Sequence, residues 1–191
     1  MANEEENIMK NIVRYLVMTV LALCLSVPCC GTAAEAASVA LLPLINNVEG
    51  DQLANQVYYK EAIKALNAKQ GFVLVENDAL TAVIDSVGAK TAVPTKEELV
   101  KIAKEGKVDI VISMELDRLT SKALLRSRER ELKLDMRGKA VAYNALTGAY
   151  YEHNIYGDKI IDEALTSRFD WTHEEFGRAV VKEINRALAA K

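Results

Sequence analysis

The stretch "ELKLDMRGKAVAYNALTGAYYEHNIYG" (residues 131–157) decides the fold. From residue 131 to 142 apolar and charged residues alternate, which is typical of a β-strand with one buried face. "NALTG" (144–148) supplies turn residues, and "AYYEHNIYG" (149–157) predicts a strand that returns beside the first. The stretch therefore predicts a long antiparallel hairpin.

Strands and helices alternate before this hairpin. We predict strands at "SVALLPLIN" (38–46), "FVLVE" (72–76) and "VDIVISMEL" (108–116). Helical spacing of apolar residues predicts a helix over 51–69, a second that starts at Asn77 or Asp78, and a third with a capping box of Thr95 and Glu98. Strands joined by helices pair in parallel, so the first half of the sheet has helical crossovers.

The chain ends in an amphipathic helix, for which Thr172 and Glu175 predict a second capping box. Together these patterns predict a single α/β domain over residues 37–191. Its sheet is mixed, with helical crossovers in the first half, a long antiparallel hairpin and a C-terminal helix.

Residues 1–36 have the layout of an export signal. Lys10 and Arg14 precede an apolar run at 15–27, and the small residues of "PCCGTAAEA" (28–36) follow it. The run is shorter than the roughly 20 residues that span a bilayer as a helix. We predict translation from Met9 and cleavage after Ala36, with an uncleaved signal anchor as the alternative.

All three cysteines of the chain lie in this segment, at Cys24, Cys29 and Cys30. Two adjacent cysteines without a nearby histidine do not have the spacing of a zinc site, and a disulfide between neighbours is strained. Two hypotheses remain open. Simple cleavage would leave a mature domain without cysteine, whereas a lipid on Cys29 or Cys30 would attach the domain to a membrane.

The body of the chain shows no motif that carries catalysis. Its net charge is −3, so no strong positive field favours nucleic acid. "THEEF" is not the H-E-x-x-H zinc motif, because residue 177 is glycine. Surface positions are predicted for His153 and His173, and Glu115 with Asp117 is predicted to be a solvated strand end. We therefore predict a protein that is not an enzyme and uses no metal or cofactor.

Two groups of residues are candidates for a binding surface. In an extended chain three arginines of "SKALLRSRERELK" (121–133) would share one face: Arg126, Arg128 and Arg130. That face is either a solvated edge protected by charge or a contact surface for anionic lipid or an acidic partner. Tyrosines of the hairpin, Tyr143, Tyr150 and Tyr151, could stack on sugar rings or pair across the strands.

Four stretches resemble a group of bacterial envelope proteins: "VALLPLINN" (39–47), "GFVLVENDALTAVI" (71–84), "AKEGKVDIVISMEL" (103–116) and "AYNALTGAYY" (142–151). The group includes the CsgG-like curli-secretion lipoproteins, the N-terminal domain of the Tol-system propeller protein, and outer-membrane activators of penicillin-binding proteins. This chain lacks a good lipobox and long membrane hairpins, and "RSRERELK" (126–133) is too charged to face lipid.

The resemblance implies an exported protein of the periplasm or outer membrane. It also implies an accessory or assembly role, in which the domain binds envelope proteins and forms a homo-oligomer. It implies contact with the membrane only through the signal segment or a lipid. The alternative function is a glycan- or peptidoglycan-binding module that uses the tyrosines of the hairpin.

Overall fold

Strands and helices alternate as far as the fourth strand, and antiparallel strands follow. The computed structural model describes residues 36–126, 129–162 and 168–190. Its strands are β1 (Ala37–Leu41), β2 (Ile45–Asn46), β3 (Phe72–Leu74), β4 (Ile110–Arg126), β5 (Glu129–Asn144), β6 (Ala149–Gly157) and β7 (Ile160–Asp162). Its helices are α1 (Leu53–Asn67), α2 (Asp78–Ser86), α3 (Lys96–Gly106) and α4 (Arg168–Ala189).

The strands form one mixed sheet, as the sequence predicts. Its order is β3-β1-β4-β5-β6, with β2 on β4 and β7 on β5. Strand β1 pairs in parallel with β3 and β4, whereas β4, β5 and β6 pair in antiparallel fashion. The predicted fold class, an α/β domain with crossovers, a long hairpin and a C-terminal helix, is confirmed.

Each face of the sheet packs against a different pair of helices. One core contains Ile112, Met114 and Leu134 together with Tyr58 of α1 and Phe176 of α4. The other core packs strand residues of the opposite face, such as Val111 and Val141, against α2 and α3. Because neighbouring strand residues point to opposite faces, the apolar run of β4 supplies both cores.

Two of the predicted helix starts are confirmed by their hydrogen bonds. The side chain of Asn77 accepts from the backbone N–H of Leu80 at 2.7 Å. Thr95 and Glu98 form a complete capping box at the start of α3. These bonds satisfy N–H groups that the first turn of a helix leaves without a partner.

The predicted capping box of Thr172 and Glu175 is wrong. Helix α4 already begins at Arg168, so Thr172 lies inside the helix, where it is only 5% exposed. The prediction that His173 has a surface position is wrong for the same reason. A cap pattern inside a helix has no free N–H groups to satisfy, and in this case its residues face the core.

Strand β4 extends ten residues beyond the predicted strand end, because it continues past Leu116 to Arg126. A bulge at Asp117 explains the error: Leu116 pairs with Gly138, and Arg118 then pairs with Arg137. The extra residue shifts the alternation of buried and exposed positions by one. Buried Leu116 is therefore followed by buried Leu119, which breaks the period of two in the sequence.

The predicted strand over residues 38–46 is divided into β1 and β2. Pro43 lies between them, and a proline cannot donate a ladder hydrogen bond. Both pieces nevertheless stay beside β4, since the N–H of Leu42 donates to the carbonyl of Ile112 at 2.9 Å. The N–H of Asn47 donates to the carbonyl of Leu116 at the same distance.

Candidate interaction surface

Strands β4, β5, β6 and β7 extend together beyond the helices of one face. On their inner side Leu119, Leu132 and Met136 are buried in the core that includes α4. Their outer side is open, and we call it the distal face. It consists of the following residues: Arg118, Thr120, Lys122, Leu124, Glu131, Lys133, Asp135, Arg137, Tyr156, Asp158, Ile160 and Asp162.

Pairs of like charges lie opposite each other on the distal face. Arg118 pairs with Arg137, and Lys122 pairs with Lys133. Like charges directly opposite each other in an antiparallel pair destabilise a sheet. These two pairs therefore lower the stability of the hairpin unless nearby carboxylates compensate their charges.

Asp135 lies between these two pairs and compensates them only in part. Nη1 of Arg118 donates to its Oδ2 at 3.0 Å, and Nε of Arg137 lies 3.6 Å from its Oδ1. The hydrogen bond from Arg118, followed by the charges of Arg118, Arg137 and Lys122, holds the pKa of Asp135 below its usual range. Four cations thus surround one carboxylate, with Asp158 at the edge of the group.

Apolar groups stand beside these charges. Tyr156 is 73% exposed and Ile160 is 41% exposed. A cavity of about 380 Å³ opens next to Tyr156 and is also lined by Lys122, Lys133 and Arg137. Aromatic side chains and arginine are enriched in surfaces that bind other proteins.

Only part of the charged tip of the hairpin lies within the described residues. The backbone register pairs Arg126 with Glu129 and Leu125 with Arg130. A face shared by the three arginines stays a prediction. Arg128 lies outside the described residues, as do Cys29 and Cys30.

The three predicted tyrosines do not form one surface. Tyr143 and Tyr150 lie opposite each other on the face that packs against α2 and α3. Oη of Tyr150 donates to Glu152 at 2.7 Å, and burial, followed by this bond, raises its pKa to about 12. Tyr151 packs on the other face, against the core that includes α4.

Tyr151 belongs to a polar network around the buried carboxylate of Glu183. Glu183 is 3% exposed and accepts hydrogen bonds from Oη of Tyr151 and, at 2.9 Å, from Nη1 of Arg186. Nδ1 of His153 lies 3.2 Å from the same carboxylate. Burial, followed by the bond to Glu183, raises the pKa of Tyr151. The network joins the edge strand β6 to α4.

We expect Glu183→Gln to lower the free energy of unfolding by about 2 kcal/mol, because Tyr151 and Arg186 lose a charged acceptor. The pKa of Tyr151 should also fall towards its usual value. Urea unfolding and absorbance titration of the tyrosines measure the two effects. Glu152→Gln on the exposed side of β6 is the matched control, and an equal loss in both variants would contradict a role for the network.

The carboxylates of Glu115 and Asp117 face solvent without a histidine nearby. Both accept from Nδ2 of Asn47, at 2.9 and 3.0 Å. His173 lies elsewhere, where its Nε2 is 2.9 Å from Oδ2 of Asp51. The structure thus does not bring these carboxylates and a histidine into one pocket.

Two absences concern only the residues that the structure describes. No group of three His, Cys, Asp or Glu residues in this part of the chain is placed to hold a metal ion. No helix in it has the length and apolar character needed to cross a membrane.

The sequence matches no family model and no curated protein. Among solved structures, the fold is similar to the hypothetical protein CT253 from Chlamydia trachomatis. The TM-score is 0.51 and the identity 14%, over 79% of this chain and 96% of that one. This similarity shows the fold alone, so the CsgG-like resemblance stays a prediction.

Two further solved structures match with TM-scores under 0.5. Lipoprotein GNA1162 from Neisseria meningitidis has a TM-score of 0.42 at 14% identity, over 78% of this chain and 99% of that one. The LpoB C-terminal domain from Salmonella enterica has a TM-score of 0.37 at 16% identity, over 65% and 84%.

Sequence reasoning identified the exposed residues of β5 but not their partners. The alternation of residues 131–142 places Lys133, Asp135 and Arg137 on one exposed face. Arg118 and Lys122 were missed, because the bulge at Asp117 hides the strand to which they belong. An alternation pattern that restarts one residue late, after a polar residue, is the signal that could have identified them.

Proposed function

We propose that this chain is an exported, non-enzymatic accessory domain of the bacterial envelope, and that its distal face binds an acidic protein partner. The observation that carries the proposal is the pair of like-charged cross-strand contacts, Arg118 with Arg137 and Lys122 with Lys133. An acidic partner would compensate charges that the domain itself leaves in excess around Asp135.

The apolar side chains favour a protein partner over a simple polyanion. Tyr156 and Ile160 are exposed within the same patch as the lysines. A polyanion offers charge but no apolar surface, whereas a protein interface combines an apolar centre with charged groups at its rim. Charge complementarity between the distal face and an acidic partner would speed the encounter of the two proteins.

The proposed location in the envelope rests on residues 1–36, which have the layout of an export signal. Mass spectrometry of the protein recovered from its native cell would identify the start site, the cleavage site and any lipid on Cys29 or Cys30. Cleavage after Ala36 without a lipid supports a periplasmic domain. A lipid or an uncleaved signal supports a domain held at a membrane, and an unprocessed chain that starts at Met1 would contradict translation from Met9.

Charge reversal at Lys122 and Lys133 tests the binding surface. A photo-crosslinking amino acid placed at Thr120 should capture a defined acidic protein in the native cell, because Thr120 lies on β4 between Arg118 and Lys122. We expect Lys122→Glu/Lys133→Glu to reduce the yield of this adduct at least tenfold. Mass spectrometry of the adduct identifies the captured protein.

A second charge reversal provides the control. Lys101→Glu/Lys104→Glu makes the same change in charge on the exposed side of α3, far along the chain from the distal face. The adduct should persist in this variant. Equal loss in both variants would mean that only net charge matters, and no adduct at all from Thr120 would contradict the proposed site.

The glycan-binding alternative now depends on fewer residues. Of the three tyrosines predicted to bind sugar, only Tyr143 and Tyr150 share a face of the sheet. Both are partly exposed and lie beside Glu152. Sedimentation with purified peptidoglycan tests this alternative. Binding that is lost in Tyr150→Ala and kept in Tyr151→Ala would support it over the protein-binding proposal.

A further inference from the structure

Strands β6 and β7 form one continuous edge of the sheet. Residue 149 pairs with 144 of β5, 157 with 136, and 160 with 133, so the register does not shift between the two strands. In the part of the chain that the structure describes, β5 is their only partner in the sheet. Alternate N–H and C=O groups of this edge therefore point away from the sheet.

The β6 part of this edge lacks proline, lysine and bulges, which usually prevent strands from pairing, whereas Asp158 and Lys159 follow it. The opposite edge, β3, is protected by its length of three residues. By contrast, β6 has nine residues without proline or lysine, and its register shows no bulge. A long regular edge of this kind is a template for another strand.

Exposed apolar side chains are concentrated at the same edge. Among the described residues five large apolar side chains are exposed, and Leu146, Tyr156 and Ile160 are three of them. Leu146 lies in the turn before β6, and the other two lie on β6 and β7. Solvent exposure of all three is unfavourable for an isolated domain, and a neighbouring strand would cover them.

We propose that a second copy of this chain pairs with β6 in antiparallel fashion, about a two-fold axis at His153. In this register Tyr156 of one copy faces Tyr150 of the other, and Glu152 faces Asn154. On the other face Tyr151 lies opposite Ile155 of the second copy. Cross-strand aromatic pairs of this kind stabilise antiparallel sheets.

Charge and aromatic pairing together favour the register with its axis at His153 over the neighbouring registers. Opposed residues must share a face of the continuous sheet, so neighbouring registers move the axis by one residue. An axis at Glu152 places two copies of Glu152 face to face, and an axis at Ile155 places Glu152 against Asp158. An axis at Asn154 sets Tyr150 against Asp158. The axis at His153 opposes no two carboxylates and matches aromatic with aromatic.

The two histidines at the axis are compensated within each copy. His153 lies 3.2 Å from the buried carboxylate of Glu183, which also holds Arg186. A two-fold contact uses the same edge on both copies, so it closes at a dimer. The side chains of β6 are complementary to those of β6 in a second copy. For this reason we propose a second copy rather than a strand of another protein.

Cross-linking at Asn154 tests the register. In the full chain with Cys24, Cys29 and Cys30 replaced by serine, we introduce Asn154→Cys and treat the protein, dispersed in mild detergent, with a short bismaleimide. A covalent dimer is expected, because the two copies of residue 154 are diagonal neighbours across the axis. Lys122→Cys, two strands inside the edge on the same face, should remain monomeric, and equal cross-linking in both would overturn the proposal.

Light scattering tests the surface without cross-linking. The unmodified chain should have the mass of two copies, and Tyr156→Lys/Ile160→Lys should have the mass of one. Val73→Lys, at the exposed position of the opposite edge, should leave the dimer intact. A monomeric unmodified chain, or a dimer that survives Tyr156→Lys/Ile160→Lys, would contradict the proposal. Circular dichroism verifies that each variant is folded.

This inference goes beyond the proposed function and does not depend on it. The dimer is tested with purified protein, whereas partner binding is tested by capture from Thr120 in cells. A dimer without an acidic adduct would contradict only the proposed function. An acidic adduct on a monomeric chain would contradict only the edge pairing.

Discussion

Gly138→Ala should lower the free energy of unfolding by about 3 kcal/mol, the upper part of the range for overpacked cores. A Cβ at residue 138 would collide with the backbone carbonyl oxygen of Glu115 on the neighbouring strand. This oxygen belongs to the main chain of β4, so it cannot move aside without separating the two strands. Glycine in a strand often marks such a close approach of two backbones.

The position of the collision makes the effect large. Gly138 pairs with Leu116, the last residue before the bulge at Asp117. The bulge sets which residues of β4 reach the distal face, so the variant should also disturb the pairing of Arg118 with Arg137. Urea unfolding measures the stability, and amide hydrogen exchange along β4 and β5 measures the local opening.

Gly106→Ala is the matched control. Its Cβ would lie 2.7 Å from Cδ1 of Leu80, the flexible end of a side chain rather than backbone. Alanine also favours the helical conformation by about 1 kcal/mol over glycine, so the two effects nearly cancel. If Gly138→Ala is as stable as Gly106→Ala, the close approach of the strands is not the constraint that we describe.

The crossover half of the fold follows from local signals, which explains why it could be predicted. Asn77 and Thr95 cap their helices through bonds to residues three positions away, and such bonds depend only on local sequence. The hairpin of β5 and β6 could be predicted equally well, because every second residue of β5 from Leu132 to Ala142 belongs to one buried face.

The outer half of β4 and the distal face depend on long-range register. Lys122 and Lys133 are neighbours only because the bulge at Asp117 adds one residue to β4. The local pattern shows only that the alternation restarts after Asp117, and the pairing of two strands fixes which residue of β5 each residue of β4 faces. Tyr150 and Tyr151 are a different case, because neighbouring strand residues face opposite sides and the sequence alone therefore separates them.

Helix α4 shows a different limit. The sequence pattern at Thr172 is that of a cap, but the chain is already helical from Arg168. Packing of Trp171 and Phe176 into the core with α1 stabilises the additional turn. Tertiary contacts of this kind override the local preference for a helix start.

The predicted helix starts at Thr172 instead of Arg168. For this reason the sequence analysis also misses the contact between His173 and Asp51. Nε2 of His173 lies 3.0 and 2.9 Å from the two carboxylate oxygens of Asp51, and the side chains are 7% and 12% exposed. Residue 51 precedes α1 and residue 173 lies in α4, so this contact joins the two helices that cover one face of the sheet.

Asp51→Ala should therefore lower the free energy of unfolding by about 2 to 3 kcal/mol, because it removes the carboxylate that accepts a buried hydrogen bond from Nε2 of His173. Asp51 has a second role, since its Oδ1 accepts from the N–H of Ala54 at 3.1 Å in the first turn of α1. Loss of this acceptor contributes about 1 kcal/mol of the effect. Urea unfolding at constant pH measures the change.

A double-mutant cycle separates the pair from the cap. His173→Phe in the Asp51→Ala background removes the histidine that has lost Asp51, so the double variant should be more stable than the sum of the single losses predicts. Glu174→Ala, at an exposed residue paired with Arg178, is the control and should cost less than 1 kcal/mol. Additive losses at residues 51 and 173 would show that the effect of Asp51→Ala comes from the helix start alone, and that the contact between α1 and α4 adds nothing to the fold.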